Sequence, residues 1–79
     1  MKRGRVVRSL KGRNKNDLAV IMSVDEKFAY IADGRMYKTV KPKLKNIKHL
    51  EATESVLDEY YLEADSRLRK QLSRLKDIY

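Results

Sequence analysis

A mainly β domain with a C-terminal α-helix, a small SH3-like β-barrel followed by one amphipathic helix, is predicted by three observations. Short apolar runs cut by turn residues fill the first fifty positions, and apolar residues recur at helical spacing from Leu57 onward. Lysine and arginine crowd into the β half: positions 1–50 carry 14 Lys/Arg against four acids, and positions 51–79 carry five against seven.

Gly4 opens a β-branched run, Arg5-Val6-Val7-Arg8, read as the first strand. Leu18 to Val24 is a continuous apolar strand candidate. Asp25-Glu26-Lys27 supplies a tight polar connection, and Phe28 to Ala32 is the returning strand, with Phe28 and Tyr30 expected in the core. Asp33-Gly34 stops it, because glycine accepts positive φ. Arg35 to Val40 is expected as a short edge strand. Pro42, which has no N–H to give a ladder, ends it, and Ile47 to Leu50 follows as a last strand. Four or five short strands in so few residues suggest a barrel that closes its own edges. The domain boundary is placed after residue 52, with 1–52 as the barrel and 53–79 as the helix.

In the tail, Leu57, Tyr61, Ala64, Leu68, Leu72, Leu75 and Tyr79 form a single helical stripe. Thr53 or Ser55 is the expected N-cap. Glu63–Arg67 and Asp65–Arg69 are favourable i,i+4 pairs. Tyr60 and Tyr61 are expected to anchor the helix to the barrel. A straight helix of this length reaches about 36 Å, longer than so small a barrel is wide. Part of its stripe is therefore expected to meet another molecule. Leu68, Leu72 and Leu75 are the candidate docking residues, for a protein or for self-association with a second copy.

Chemistry is scarce. The chain has 79 residues, no cysteine and one histidine, His49. Thiolate metal sites and disulfides are excluded, and a triad or imidazole metal site has no partners to draw on. Gly4, Gly12 and Gly34 are scattered, so no phosphate loop forms. A domain this short buries only roughly 60% of its unfolded surface, which leaves little room for an active-site cavity. No enzymatic activity and no cofactor are expected. Met1-Lys2-Arg3 is not followed by a signal-peptide apolar region, and the apolar run from Leu18 to Met22 is too short for a membrane span. A cytoplasmic protein with no membrane partner is expected.

The net charge of +8 is the feature that points to function. A basic body with a near-neutral tail suits a polyanion. Lys11-Gly12-Arg13-Asn14-Lys15-Asn16 falls in the loop after the first strand. It reads equally as a solvated turn or as a loop that wraps phosphates and offers amides to base edges or 2′-hydroxyls. Lys38, Lys41, Lys43, Lys45 and Lys48 exceed what protection of a sheet edge needs, and lysine suits backbone phosphate contact. Arg35 joins them, and Tyr37 is placed to stack an unpaired base. Arg67, Lys70 and Arg74 share a helix face and offer secondary contacts.

The segment Gly4-Arg5-Val6-Val7-Arg8-Ser9-Leu10-Lys11-Gly12-Arg13-Asn14-Lys15, followed by Leu18 to Val24, resembles a KOW motif. With Tyr30-Ile31-Ala32-Asp33-Gly34, Lys41-Pro42-Lys43 and Asn46-Ile47-Lys48-His49-Leu50, it is similar to bacterial KOW-domain RNA-binding proteins. These are related to the fourteen-e group of archaeal and eukaryotic large-subunit ribosomal proteins. The likeness covers about residues 3–53. It implies an SH3-like barrel whose first loop, here Lys11, Gly12, Arg13, Asn14 and Lys15, contacts ribosomal RNA in a ribosomal or ribosome-associated protein. Asn16 stands where that family usually has glycine, and asparagine tolerates the left-handed backbone a glycine would supply. An alternative is a protein-docking module of the transcription or translation machinery that works through the C-terminal helix.

Overall fold

The computed structural model describes residues 1–13 and 15–79. Five strands, β1 (Arg5–Ser9), β2 (Leu18–Val24), β3 (Phe28–Ala32), β4 (Lys43–Asn46) and β5 (Leu50–Val56), form one antiparallel sheet in the order β4-β3-β2-β1-β5. A single 3-10 turn, Ile47–His49, joins β4 to β5 at the two ends of that order. The arrangement is consistent with a sheet curled into an SH3-like barrel. Two helices follow, α1 (Glu59–Leu62) and α2 (Asp65–Lys76).

The middle of β2, Ala19 to Met22, is buried on both faces, which is why Leu18 to Val24 reads as continuously apolar rather than alternating. Val7, Ala19, Ile21, Ala29, Ile31 and Leu50 make the inner core of the curled sheet. Val6, Val20, Met22 and Ala32 face the other way and pack under Leu57, Leu62, Leu68 and Leu72. Neighbouring positions thus serve opposite cores, as the two-residue period of a strand requires.

Several expectations are corrected here. The tail is two helices rather than one: Ala64 is extended (φ −143°, ψ 129°) and separates them. A straight helix would overrun a molecule measuring 27 × 24 × 22 Å, and the break turns the chain back across the sheet. It also resets the helical phase, so Leu62, off the predicted stripe, is buried at 3% exposure. Thr53 and Ser55 are not caps but lie in β5, which carries the sheet past residue 52 to Val56. Leu68 (0% exposed) and Leu72 (6%) are core residues and Leu75 is half-buried against them, so these three leucines pack on the chain's own sheet. Each such leucine contributes about 1.5–3 kcal/mol by leaving water.

Two more corrections concern the β half. Arg35–Val40 forms no strand: the Asp33 carboxylate accepts the backbone N–H groups of Arg35 (2.8 Å) and Tyr37 (2.9 Å), which coils the segment into a loop. Ile47–His49 is the 3-10 turn rather than a strand, started by the Asn46 side chain accepting the Lys48 N–H at 2.9 Å. Tyr61 packs against the helix-side core as an anchor, whereas Tyr60 stays exposed beneath the Arg67 guanidinium, 4.3 Å from its ring centre. Glu63–Arg67 forms at 3.9 Å, while Asp65 accepts the backbone N–H of Thr39 at 2.7 Å.

Candidate nucleic-acid interface

The β1–β2 and β3–β4 loops leave the same end of the antiparallel sheet. Together, positions 10–17 and 33–42 carry six Lys/Arg and two acids. The β1–β2 loop is pinned at its base by Ser9, a buried polar residue. Ser9 donates its N–H to the Asp17 carbonyl (3.0 Å), accepts from the Asn16 N–H (2.7 Å), and donates its hydroxyl to the Lys11 carbonyl (3.1 Å). Lys15 N–H closes a turn onto the Gly12 carbonyl at 3.2 Å. Above this base Lys11, Arg13 and Lys15 are all exposed. Asn14 lies outside the described residues. Asn16 sits at φ +73°, the left-handed geometry for which its glycine-like position calls.

The β3–β4 loop is held from two sides. Asp33 ties its interior, and the Asp65 carboxylate at the start of α2 holds Thr39. Gly34, at φ +77°, lies directly under α2, where a Cβ would strike the Asp65 carbonyl. Helix and loop therefore fix each other. Arg35, Lys38 and Lys41 are exposed on this loop, Lys43 is exposed at the start of β4, and Tyr37 is half-buried. Lys38 also reaches back to the Gly34 carbonyl at 3.5 Å.

The two basic clusters meet in space. The Lys45 ammonium lies 3.7 Å from where a Cβ on Gly12 would stand. Leu10 donates its N–H to the His49 carbonyl at 2.8 Å, which brings the turn bearing exposed Lys48 beside the same loop. The loop thus shares one surface with Lys45 and Lys48, more than thirty positions away in sequence. Neither the chain's family relationship nor its function is decided by comparison: the chain matches no protein-family model and no curated protein sequence.

Two functional candidates escaped sequence reasoning. Arg69 and Lys76 of α2 line a groove of about 140 Å³ with Arg35, Asp17, Asp33 and Leu72. The signal was their spacing of seven residues, two helical turns, on the side facing the loops. Arg67, by contrast, is occupied: it donates to the Tyr60 carbonyl at 2.8 Å and stacks on that ring. Lys70 and Arg74 are exposed.

Acidic groups gather at the opposite end. Asp25 and Glu26 form the β2–β3 turn, and Asp58, Glu59 and Glu63 surround α1, which the bond from Leu57 N–H to the Gly4 carbonyl (2.7 Å) places beside the start of β1. Backbone N–H groups of Phe28 and Lys27 hold the Asp25 carboxyl below its usual range. The hydrogen bond from Arg3 does the same for Glu59, at 2.6 Å and 2.9 Å to its two oxygens. Among the described residues no helix is long and apolar enough to cross a membrane.

Proposed function

We propose that this chain is a non-enzymatic RNA-binding module that grips the phosphate backbone of structured RNA with the loop end of its sheet. The observation that carries this reading is the approach of Lys45 to Gly12, which makes one cationic surface of two clusters distant in sequence. Arg13, Lys15, Lys45 and Lys48 supply phosphate contacts, with Lys11, Lys41 and Lys43 extending them. Arg35 continues the surface toward Arg69 and Lys76. Gly12 leaves room for a phosphate to approach the backbone, and Asn16 keeps the loop's left-handed turn. Ribosomal RNA is the preferred target on the resemblance to KOW-domain proteins, with a cytoplasmic, ribosome-associated setting to match.

The test is co-sedimentation with purified ribosomal subunits and with matched duplex DNA across a salt series, alongside an Arg13→Ala/Lys15→Ala variant. Contact with about five phosphates predicts affinity falling two to three orders of magnitude between about 50 and about 200 mM salt. Saturable binding to one subunit, steep in salt and weakened in the variant, is expected. Equal, weak binding to DNA and RNA that ignores the loop substitutions would sink the proposal.

A further inference from the structure

Where α2 crosses the roots of the two basic loops, the chain builds a small groove lined by charges of both signs. Arg69, Leu72 and Lys76 stand at i, i+3 and i+7 on one face of α2 and form one wall. Asp17 and Leu18, where the first loop enters β2, and Asp33 and Arg35, where the chain leaves β3, form the other. Leu18 and Leu72 belong to the helix-side core and give the groove its apolar lining. Its volume of about 140 Å³ is well below the roughly 300 Å³ at which pockets for drug-sized ligands begin, so it suits one small group. Backbone contacts fix both walls. A Cβ on Gly34 would stand 3.1 Å from the Arg69 backbone nitrogen, so α2 lies directly on the residue before Arg35. Asp33 Oδ1 accepts the Arg35 and Tyr37 N–H groups, and the Asp17 carbonyl accepts the N–H of buried Ser9. The charges are not spent on one another: among the described residues Arg35, Arg69 and Lys76 form no ion pair, although two carboxylates share their groove.

We infer that this groove reads one unpaired guanine of a bound RNA strand, an inference that rests on the RNA-binding reading above. The types of donor and acceptor select the base. An ionised carboxylate only accepts hydrogen bonds, and a guanidinium only donates them. A bare phosphate would suit the three cations but would face Asp17 and Asp33 as well. Guanine carries what both signs need: its O6 and N7 take an arginine fork, and its N1–H and N2 amino group donate side by side to a carboxylate. Adenine and cytosine offer a carboxylate one exocyclic amine, and uracil one ring N–H. Asp17 is exposed and its carboxylate makes no hydrogen bond among the described residues, whereas Asp33 Oδ1 is taken by backbone N–H groups. Asp17 therefore accepts from N1 and N2, Arg69 on the facing wall donates to O6 and N7, and Leu18 and Leu72 support the ring. Arg35 and Lys76 take the flanking phosphates. The groove also stands at the right place. Asp17 follows Lys15 and Asn16, and Arg35 is the first exposed cation of the β3–β4 loop, so a strand lying on the loop cations has this groove beside it.

The test measures fluorescence anisotropy of a short oligouridine carrying one central guanine, adenine or inosine, the last lacking the N2 amino group. Wild type, Asp17→Asn, Arg69→Ala and Arg13→Ala/Lys15→Ala are compared, and thermal melts by circular dichroism verify that each is folded. Phe28 and Tyr30 lie outside the core at 41% and 45% exposed and do not line the groove, so Phe28→Ala/Tyr30→Ala is the control expected to keep the wild-type base preference. Wild type should bind the guanine strand about 5- to 150-fold more tightly than the adenine strand. Asp17→Asn should erase the preference for guanine over inosine without weakening binding to plain oligouridine. Arg69→Ala should shrink the preference of both guanine and inosine over adenine, since both carry O6 and N7. Equal wild-type affinity for the guanine and adenine strands, or a preference that survives both groove substitutions, would overturn the inference. If Arg13→Ala/Lys15→Ala weakens every strand while wild type shows no base preference, the groove fails and the RNA-binding reading stands. Wild type that binds no strand and no ribosomal subunit overturns both. Guanosine monophosphate that competes as well as the guanine strand would assign the groove to a free nucleotide and overturn its link to RNA.

Discussion

Leu68→Ala is the sharpest probe of how the tail is used. Leu68 is fully buried between α2 and the sheet, in a core shared with Val6, Val20, Met22 and Ala32. Truncation removes its apolar contacts and leaves a cavity that the two-sided sheet cannot readily collapse, because its other face is committed to a second core. The expected cost is about 2–5 kcal/mol. At roughly 0.05–0.15 kcal/mol per residue, a chain this size has on the order of 4–12 kcal/mol to lose. A loss of about 3 kcal/mol therefore lowers Tm by about 12–24 °C. Urea titration followed by circular dichroism reads the change, with Ile78→Ala, at 72% exposed, as the control expected to stay within about 0.5 kcal/mol. Leu68→Ala with wild-type stability would refute the packing of α2 on the sheet and restore the tail as a docking arm.

Other substitutions test other contacts. Gly34→Ala combines positive φ with a collision against the α2 backbone; it is expected to cost at least about 1–2 kcal/mol, measured by the urea midpoint, and to loosen Thr39 from Asp65. Asn16→Gly should be neutral to stabilising and Asn16→Val destabilising by about 1–2 kcal/mol, since φ is +73° there; equal melts for the two would remove the argument. The carboxyls of Glu59 and Asp25 both titrate below their ordinary range in the folded chain, Glu59 through Arg3 and Asp25 through the Phe28 and Lys27 amides. Their stabilisation is thus complete above the unfolded carboxyl pKa and is lost as pH falls through the lowered folded value. Glu59→Gln/Asp25→Asn should therefore show a shallower loss of stability on acidification than wild type. Because Arg3–Glu59 is an exposed pair, that difference should shrink in high salt.

What could be read from the chain alone was local. Strands β1 to β3, the Asp25 turn and the helical character of the tail follow from side-chain period and turn residues, which act within a few positions. The concentration of positive charge in the first fifty residues is likewise a property of order along the chain. Relations between distant segments were decided by tertiary packing. Asp33 and Asp65 together coil Arg35–Val40 into a loop, although its residues would also suit a strand. The break at Ala64 sets two short helices against the sheet and buries Leu62, Leu68 and Leu72 there. Phe28 and Tyr30 look like core residues because they are large and apolar, yet burial goes to whichever face of a strand has something to cover it. Beyond Ala32 the helices supply no cover, so the inward places fall to Ala29 and Ile31 and the rings are left to solvent.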